Sequence, residues 1–209
     1  MFNKMMMTAT VLACGTALGS TRPLLNAGDT HSLSGTTSSA DADAYGTLLY
    51  GQNDAISIGP GVYVGTLLTR VIENSAGELV FELELIGDSP IIGLDRITYS
   101  GFAGTDLWSE WKVGAGDLSP GTVSRSSDGD SVDWSGPWAG NIYHHNSESM
   151  FAVTDATAYS RTGGVVRIMT DWGAYQDVVV AAPMIPAPGA MALVGIAGCL
   201  AGSRRRRRG

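Results

Sequence analysis

The densest group of metal-ligand side chains in the sequence is a run of carboxylates between residues 128 and 133. Asp128, Asp130 and Asp133 place three carboxylates within six residues, and alternating oxygen ligands of this kind wrap Ca²⁺ in loops. The order of the residues departs from that of an EF-hand loop, in which a glycine follows the third ligand. A solvated turn is therefore the favoured interpretation, calcium binding is the alternative, and we expect a protein without metal or cofactor.

The chain is also rich in tryptophan, with five in 209 residues. Flat exposed aromatic rings stack on sugar rings. Trp134 and Trp138 are separated by Ser-Gly-Pro, a sequence typical of a loop. The segment therefore predicts two exposed rings and a candidate carbohydrate-binding site at Trp134 and Trp138. The alternative is packing in the core, which suits Trp108 and Trp172 because both lie near predicted strands.

A serine in a hydrolase-like context follows one hydrophobic segment. Gly87-Asp88-Ser89 resembles the nucleophile block of the Gly-Asp-Ser hydrolases, in which the serine attacks an acyl carbon. Such a serine needs a histidine base, typically in an Asp-x-x-His near the end of the chain. Neither His144 nor His145 has an aspartate three residues before it. Those hydrolases are α/β folds as well, so an esterase is kept only as the last alternative.

The distribution of charge excludes one class of partner. The chain carries 13 basic and 20 acidic residues, a formal net charge of −7. Lys4 and five terminal arginines lie at the two ends, so the rest holds seven basic residues and all 20 acids, a net charge of −13. A surface this acidic repels a phosphate backbone. We expect no nucleic-acid partner.

The middle of the chain is patterned as β-strand. Val62 to Ile72 is rich in β-forming residues, Glu73 to Gly77 is a turn cluster, and Glu78 to Ile86 alternates. In this last segment, Glu82 and Glu84 fall on the face opposite four apolar residues. Two such strands joined by a short turn containing glycine predict an antiparallel hairpin.

Further segments extend this pattern over residues 45–182. Short apolar runs separated by turns rich in Asp, Ser and Gly predict five more strands: Leu94–Phe102, Leu107–Val113, Met150–Thr154, Val165–Thr170 and Gln176–Ala182. With no helical periodicity between them, these strands predict an all-β fold, an antiparallel β-sandwich. Residues 20–44 are rich in Ser, Thr and Gly and predict a linker that precedes it.

Residues 1–19 have the layout of a secretory signal peptide. Lys4 precedes an apolar and small-residue run from Met5 to Leu18. Ala17 and Gly19 then supply the small residues of a cleavage site. The residues ending at Cys14 also resemble a lipobox, in which the cysteine is acylated after cleavage, so lipidation of Cys14 stays open. Both interpretations imply export.

Residues 183–209 combine a proline motif, a short apolar stretch and a basic run. The prolines suit the entry of a helix, and Gly189 to Gly202 contains only apolar or small residues. These residues span about 21 Å as a helix, less than a hydrocarbon core of about 30 Å, and flanking arginines that snorkel extend the span. By the positive-inside rule, five arginines keep this end of a transmembrane helix in the cytoplasm: Arg204, Arg205, Arg206, Arg207 and Arg208.

The order and spacing of these three parts resemble the PEP-CTERM protein-sorting signal. In that family a Pro-Glu-Pro motif precedes a short transmembrane helix and a terminal Arg cluster. Here Pro186, Ala187 and Pro188 form a Pro-Ala-Pro variant. The resemblance implies a transient anchor in the inner membrane, recognition by an exosortase that removes the tail, and delivery to the cell surface or extracellular matrix.

These observations together predict an exported, non-catalytic cell-surface or matrix protein with an exosortase-type enzyme as its processing partner. The first alternative is a carbohydrate-binding module for matrix polysaccharide, which depends on the exposure of two tryptophan rings. The second is an esterase, which depends on a histidine close to Ser89.

Overall fold

The structure, a computed structural model, describes residues 23–36, 45–59, 63–87, 93–114, 116, 118–136, 138 and 146–184. The predicted signal peptide and almost all of the predicted sorting tail lie outside these residues. Among the described residues there is no helix with the length and apolar character needed to cross a membrane.

Regular structure in the described part of the chain consists of eleven β-strands. Their bounds are β1 Thr30–Ser32, β2 Gly46–Ile58, β3 Tyr63–Asn74, β4 Leu79–Gly87, β5 Leu94–Ser100, β6 Leu107–Lys112, β7 Thr122–Arg125, β8 Ser131–Ser135, β9 Ser149–Thr154, β10 Tyr159–Thr170 and β11 Tyr175–Pro183.

The strands form two antiparallel sheets that pack against each other. The first sheet has the order β1-β7-β8-β5-β10-β11 and the second has the order β2-β3-β4-β9-β6. Apolar side chains from both sheets meet in one core, with Phe81, Tyr99 and Phe102 in mutual edge-to-face contact near its centre. The predicted all-β fold with antiparallel pairing is confirmed.

The predicted hairpin is formed by β3 and β4, which pair from Gly65 with Gly87 to Glu73 with Leu79. Asn74 organises the turn, because its side-chain oxygen accepts hydrogen bonds from the backbone N–H groups of Ala76 and Glu78. Gly77 has a φ of 82°, a left-handed conformation that glycine adopts at low cost. Turn chemistry and strand alternation therefore agree, which is why this element was predictable.

Part of the predicted linker is packed into the sheets instead. Residues 23–36 include β1, which pairs with β7, and Leu25 is 1% exposed in the core. The backbone N–H groups of Leu25 and Thr36 donate to carbonyls of β6, so this segment covers the edge of the second sheet. The composition of residues 23–36 predicted a segment without regular structure. Hydrogen bonds to strands far away in the sequence order it instead.

The sheets are joined along one side by glutamine side chains. β2 and β11 are edge strands of different sheets and lie next to each other. Gln176 accepts a hydrogen bond from the N–H of Ser57 and donates to the carbonyl of Ala55, while Gln52 donates to the carbonyl of Val179. Side-chain amides thus occupy main-chain groups that a neighbouring strand would otherwise use.

Arg125 is a buried cation held by backbone carbonyls. It ends β7 with 8% of its surface exposed. The guanidinium donates to the carbonyls of Gly129, Leu25, Phe102 and Thr105 at 2.7 to 3.2 Å. Burial lowers the pKa of Arg125, and the negative charges of Asp106 and Asp155 oppose this effect. One side chain therefore ties together three irregular segments.

Replacement of Arg125 by Met should destabilise the fold strongly. The change removes the guanidinium donor from buried carbonyls, and each buried polar group left without a partner costs about 1–3 kcal/mol. We expect a loss of at least about 3 kcal/mol in the free energy of unfolding, measured by urea denaturation of the full chain in detergent.

The matched control is Arg96→Met, because Arg96 is an exposed arginine bonded to its neighbour Asp95. Its cost should stay within about 0.5 kcal/mol. Similar losses for the two variants would contradict a special role for Arg125.

Candidate functional site

The outward face of the second sheet is largely buried, although a face of this kind usually meets solvent. Every residue of β4 from Leu79 to Leu85 is buried, and so is every residue of β9. One half of this outer face is an apolar cluster of Ile72, Val80, Trp108, Phe151 and Val153. The other half carries the charged side chains that form the candidate site.

Glu82 is the centre of this charged half. One carboxylate oxygen accepts hydrogen bonds from Arg70 Nη1 at 2.8 Å and from the hydroxyl of Ser149. The other accepts from Lys112 Nζ at 2.7 Å. Glu82 and Lys112 are both buried, and the ammonium of Lys112 also lies 4.4 Å from the centre of the Tyr45 ring. The carboxylate is thus saturated by partners from three strands.

A pocket of about 390 Å³ opens beside Glu82. Its wall includes Tyr45, Arg70 and the largely buried Glu84, whose carboxylate is 3.6 Å from Arg70 Nη2. Burial raises the pKa of Glu84, the charges of Glu82 and Glu148 raise it further, and Arg70 and Lys112 oppose the shift. Burial, and to a lesser degree Glu82, also raises the pKa of Tyr45.

The chemistry available here is hydrogen bonding and charge pairing. Ser149 is 1% exposed and Glu82 is 4% exposed, so a substrate cannot reach this hydroxyl–carboxylate pair. Glu84, which is 3.6 Å from Arg70 and has a raised pKa, is a titratable carboxyl in the wall of this pocket. The site therefore has an acceptor and donors for a polar ligand.

The prediction of an exposed Trp134 is wrong. Trp134 lies on β8, points into the core and is 0% exposed, and its indole N–H donates to Ser109 Oγ at 3.0 Å. Trp138 is half-buried, with its N–H donated to the carbonyl of Asp95 at 2.9 Å. The strand continues through Trp134 because β5 and β7 pair with it on both sides, so a sugar ring cannot stack on this pair.

The other tryptophans divide between core and surface. Trp108 is 8% exposed and packs edge-to-face on Phe151, as predicted. Trp172 is 64% exposed, contrary to the expectation of core packing. It lies in the turn between β10 and β11, three residues before Tyr175, which is 57% exposed. The exposure of both rings was missed because Trp172 lies in the turn and Tyr175 precedes the predicted strand Gln176–Ala182, so the alternation of that strand includes neither residue.

The aspartates of the calcium candidate do not come together as an ion site. Asp128 accepts hydrogen bonds from Ser126 Oγ and from the N–H of Asp130, which orders the turn before β8. Asp133 accepts from the hydroxyl of Thr98 on β5. No group of three metal-ligating side chains in the described ranges is placed to hold an ion. The hydrogen bonds that order this turn also lower the pKa of Asp128.

Other predicted residues lie outside the described residues: Asp88, Ser89, His144, His145, Pro186, Ala187, Pro188, Cys14, and Arg204 to Arg208. Their roles stay predictions.

Comparison with protein-family models, with curated proteins and with solved structures finds no match for the chain. The candidate sites are therefore assigned from the geometry and chemistry of this chain.

Glu82 and Glu84 should respond in opposite ways to replacement by Gln. Glu82→Gln removes the charge that balances the buried Lys112, and breaking a buried pair costs about 3–5 kcal/mol. Glu84→Gln should raise the melting temperature at pH 7 to 8, because a carboxyl with a raised pKa in the folded state loses stability as it ionises. Thermal unfolding followed by circular dichroism measures both effects.

The pH dependence supplies the control. Wild type and Glu84→Gln should converge as the pH falls below the ordinary Glu pKa of about 4.3, where both folded and unfolded states are protonated. A double variant, Glu82→Gln with Lys112→Met, should lose less stability than the sum of the single changes. A pH-independent effect at Glu84 would contradict this interpretation.

Proposed function

We propose that the chain is an exported, non-catalytic protein of the cell surface or extracellular matrix, sorted through its C-terminal tail. The signal layout of residues 1–19 and the tail from Pro186 onward are the sequence features behind this proposal. Its partners are the inner membrane before processing and an exosortase-type enzyme that recognises the Pro-Ala-Pro variant.

The position of the fold relative to the tail is the observation that carries the proposal. All strands of the described chain lie between Thr30 and Pro183. The N–H of Met184 donates to the carbonyl of Ala158 at 2.8 Å, two residues ahead of Pro186. Cleavage near the proline motif would therefore leave both sheets whole, as a sorting signal that is removed requires.

The use of polar groups supports a non-catalytic role. The buried carboxylate of Glu82 is consumed by Arg70, Lys112 and Ser149, and the buried Arg125 is consumed by backbone carbonyls. Groups that hold strands together in this way are unavailable for a reaction. Residues 15–198 contain no cysteine, so this part of the chain has no thiol that an oxidising compartment outside the cell could convert to a disulfide.

Processing at both ends should be visible in the intact mass of the protein recovered from the cell surface. We expect the mature chain to begin near Ser20 and to end near the proline motif, because the predicted signal and tail are both removed. Mass spectrometry of the surface fraction is the measurement. A surface species that retains Met1 or the Arg run would overturn the proposal.

The five terminal arginines should act through their charge. Each cation near an anionic leaflet adds about 1 kcal/mol of attraction, so changing Arg204 to Arg208 all to Lys should preserve membrane retention of the precursor. Changing all five to Ser should release the precursor or lead to its degradation. Cell fractionation with immunoblotting separates precursor from mature protein in both variants.

Two outcomes would count against this account. If the Lys variant inserts normally but is not processed, the enzyme recognises the guanidinium groups themselves and not only their charge. Normal surface delivery of the Ser variant would remove any sorting role from the run.

A further inference from the structure

The turn between β10 and β11 presents an aromatic ring in a fixed position. The N–H groups of Thr170 and Gly173 donate within the turn, to Ala174 O and Thr170 O, each at 2.9 Å. The N–H of Asp171 donates to Gly93 O at 2.8 Å, which attaches the turn to the start of β5. Trp172 is therefore held on an ordered turn while 64% of its surface is in solvent.

The Trp172 ring packs against the backbone of Gly93. A Cβ atom at this position would lie 2.8 Å from Cη2 and 2.9 Å from Cζ3 of the indole, closer than real contacts allow. Gly93 also has a φ of 65°, which disfavours other residues. The indole is thus supported from below by backbone that has no side chain, and the rest of its surface is available to a ligand.

A second exposed ring, Tyr175, follows three residues later at the start of β11, and polar groups surround it. Tyr175 is 57% exposed, and the guanidinium of Arg167 lies 4.5 Å from the centre of its ring. Two hydrogen bonds to Asp177, at 2.7 and 2.8 Å, fix that guanidinium. Tyr175 and Asp177 are two residues apart on β11 and therefore lie on the same exposed face. Asp177 is paired directly with Arg167 across the two strands.

We propose that Trp172 and Tyr175, together with Arg167, Asp177 and Asp171, form a binding site for a neutral polysaccharide built of β-linked pyranose units. The electron-rich face of an aromatic ring attracts the C–H groups on the flat face of a pyranose. The guanidinium of Arg167, which lies over one face of the Tyr175 ring, and the carboxylates of Asp171 and Asp177 then bond hydroxyl groups with the strength of charge-assisted hydrogen bonds.

A sugar polymer fits this surface better than a protein partner. Cores of protein interfaces are depleted of charge, whereas the ion pair of Arg167 and Asp177 stands beside Tyr175. The net charge of −13 between the chain ends disfavours an anionic polysaccharide. Glycan binding at this site does not depend on how the chain is sorted. A failure of one proposal would therefore leave the other untouched.

Binding is tested with the full-length chain in mild detergent. Insoluble cellulose and chitin serve in depletion assays, cellohexaose and chitohexaose in fluorescence titrations, and alginate as the anionic comparison. We expect at least one neutral glycan to bind with a blue shift of tryptophan emission, since Trp172 leaves water on binding. Trp172→Ala should abolish the shift and raise Kd about ten-fold.

Matched variants make the result specific. Trp172→Phe should raise Kd less than Trp172→Ala, because it keeps an aromatic face. Gly93→Ala should weaken binding by displacing the indole. Leu48→Ala removes an exposed apolar side chain of β2 and should leave Kd within about two-fold. Circular dichroism checks that each variant keeps its strand content.

Three results would overturn the assignment. The first is no binding of any neutral glycan below millimolar concentration. The second is binding that Trp172→Ala leaves unchanged. The third is sedimentation showing that Trp172→Ala abolishes self-association while glycans do not bind, since this would make the surface a contact between copies of the chain.

Discussion

The outer layer of the second sheet depends on the neutralisation of one carboxylate. Glu82 lies in the middle of β4, where both faces are buried, and an unpaired charge there would be too costly to keep. Arg70 from β3, Lys112 from β6 and Ser149 from β9 meet that charge at hydrogen-bond distance. Their convergence fixes the relative positions of four strands and forms the wall of the pocket beside Glu84. Stability and the shape of the candidate site therefore have the same physical origin.

The first sheet solves a similar problem with a cation. Arg125 is buried at the end of β7, and carbonyls of irregular segments take the place of a carboxylate partner. Such an arrangement orders loops rather than strands, because each loop must place a backbone carbonyl within hydrogen-bond distance of the guanidinium. It explains why residues near Leu25 are packed despite a composition typical of a linker. A buried anion thus holds strands of the second sheet together, and a buried cation holds the loops beside the first sheet.

Strands with a long apolar alternation could be predicted from the sequence. Segments that are ordered by contacts with distant parts of the chain could not. The β3–β4 hairpin was predictable because turn chemistry and alternation agree. β2 was missed because it is an edge strand with a mostly exposed first half, and β8 because only two of its five side chains reach the core. Glu82 and Glu84 were correctly placed on one face, but the burial of that face was not predictable: its cations come from other strands. The position of the Trp172 indole against Gly93 was not predictable either, because the two residues are far apart in the chain.

The glutamines between β2 and β11 affect how copies of the protein interact at high concentration. Unpaired main-chain groups on an edge strand are a template on which a second chain can add as a further strand. Gln52 and Gln176 occupy such groups on both edges, so neither edge offers a continuous ladder to a neighbour. Copies that accumulate side by side at high density would therefore stay individually folded and would not grow into cross-β fibres along this seam.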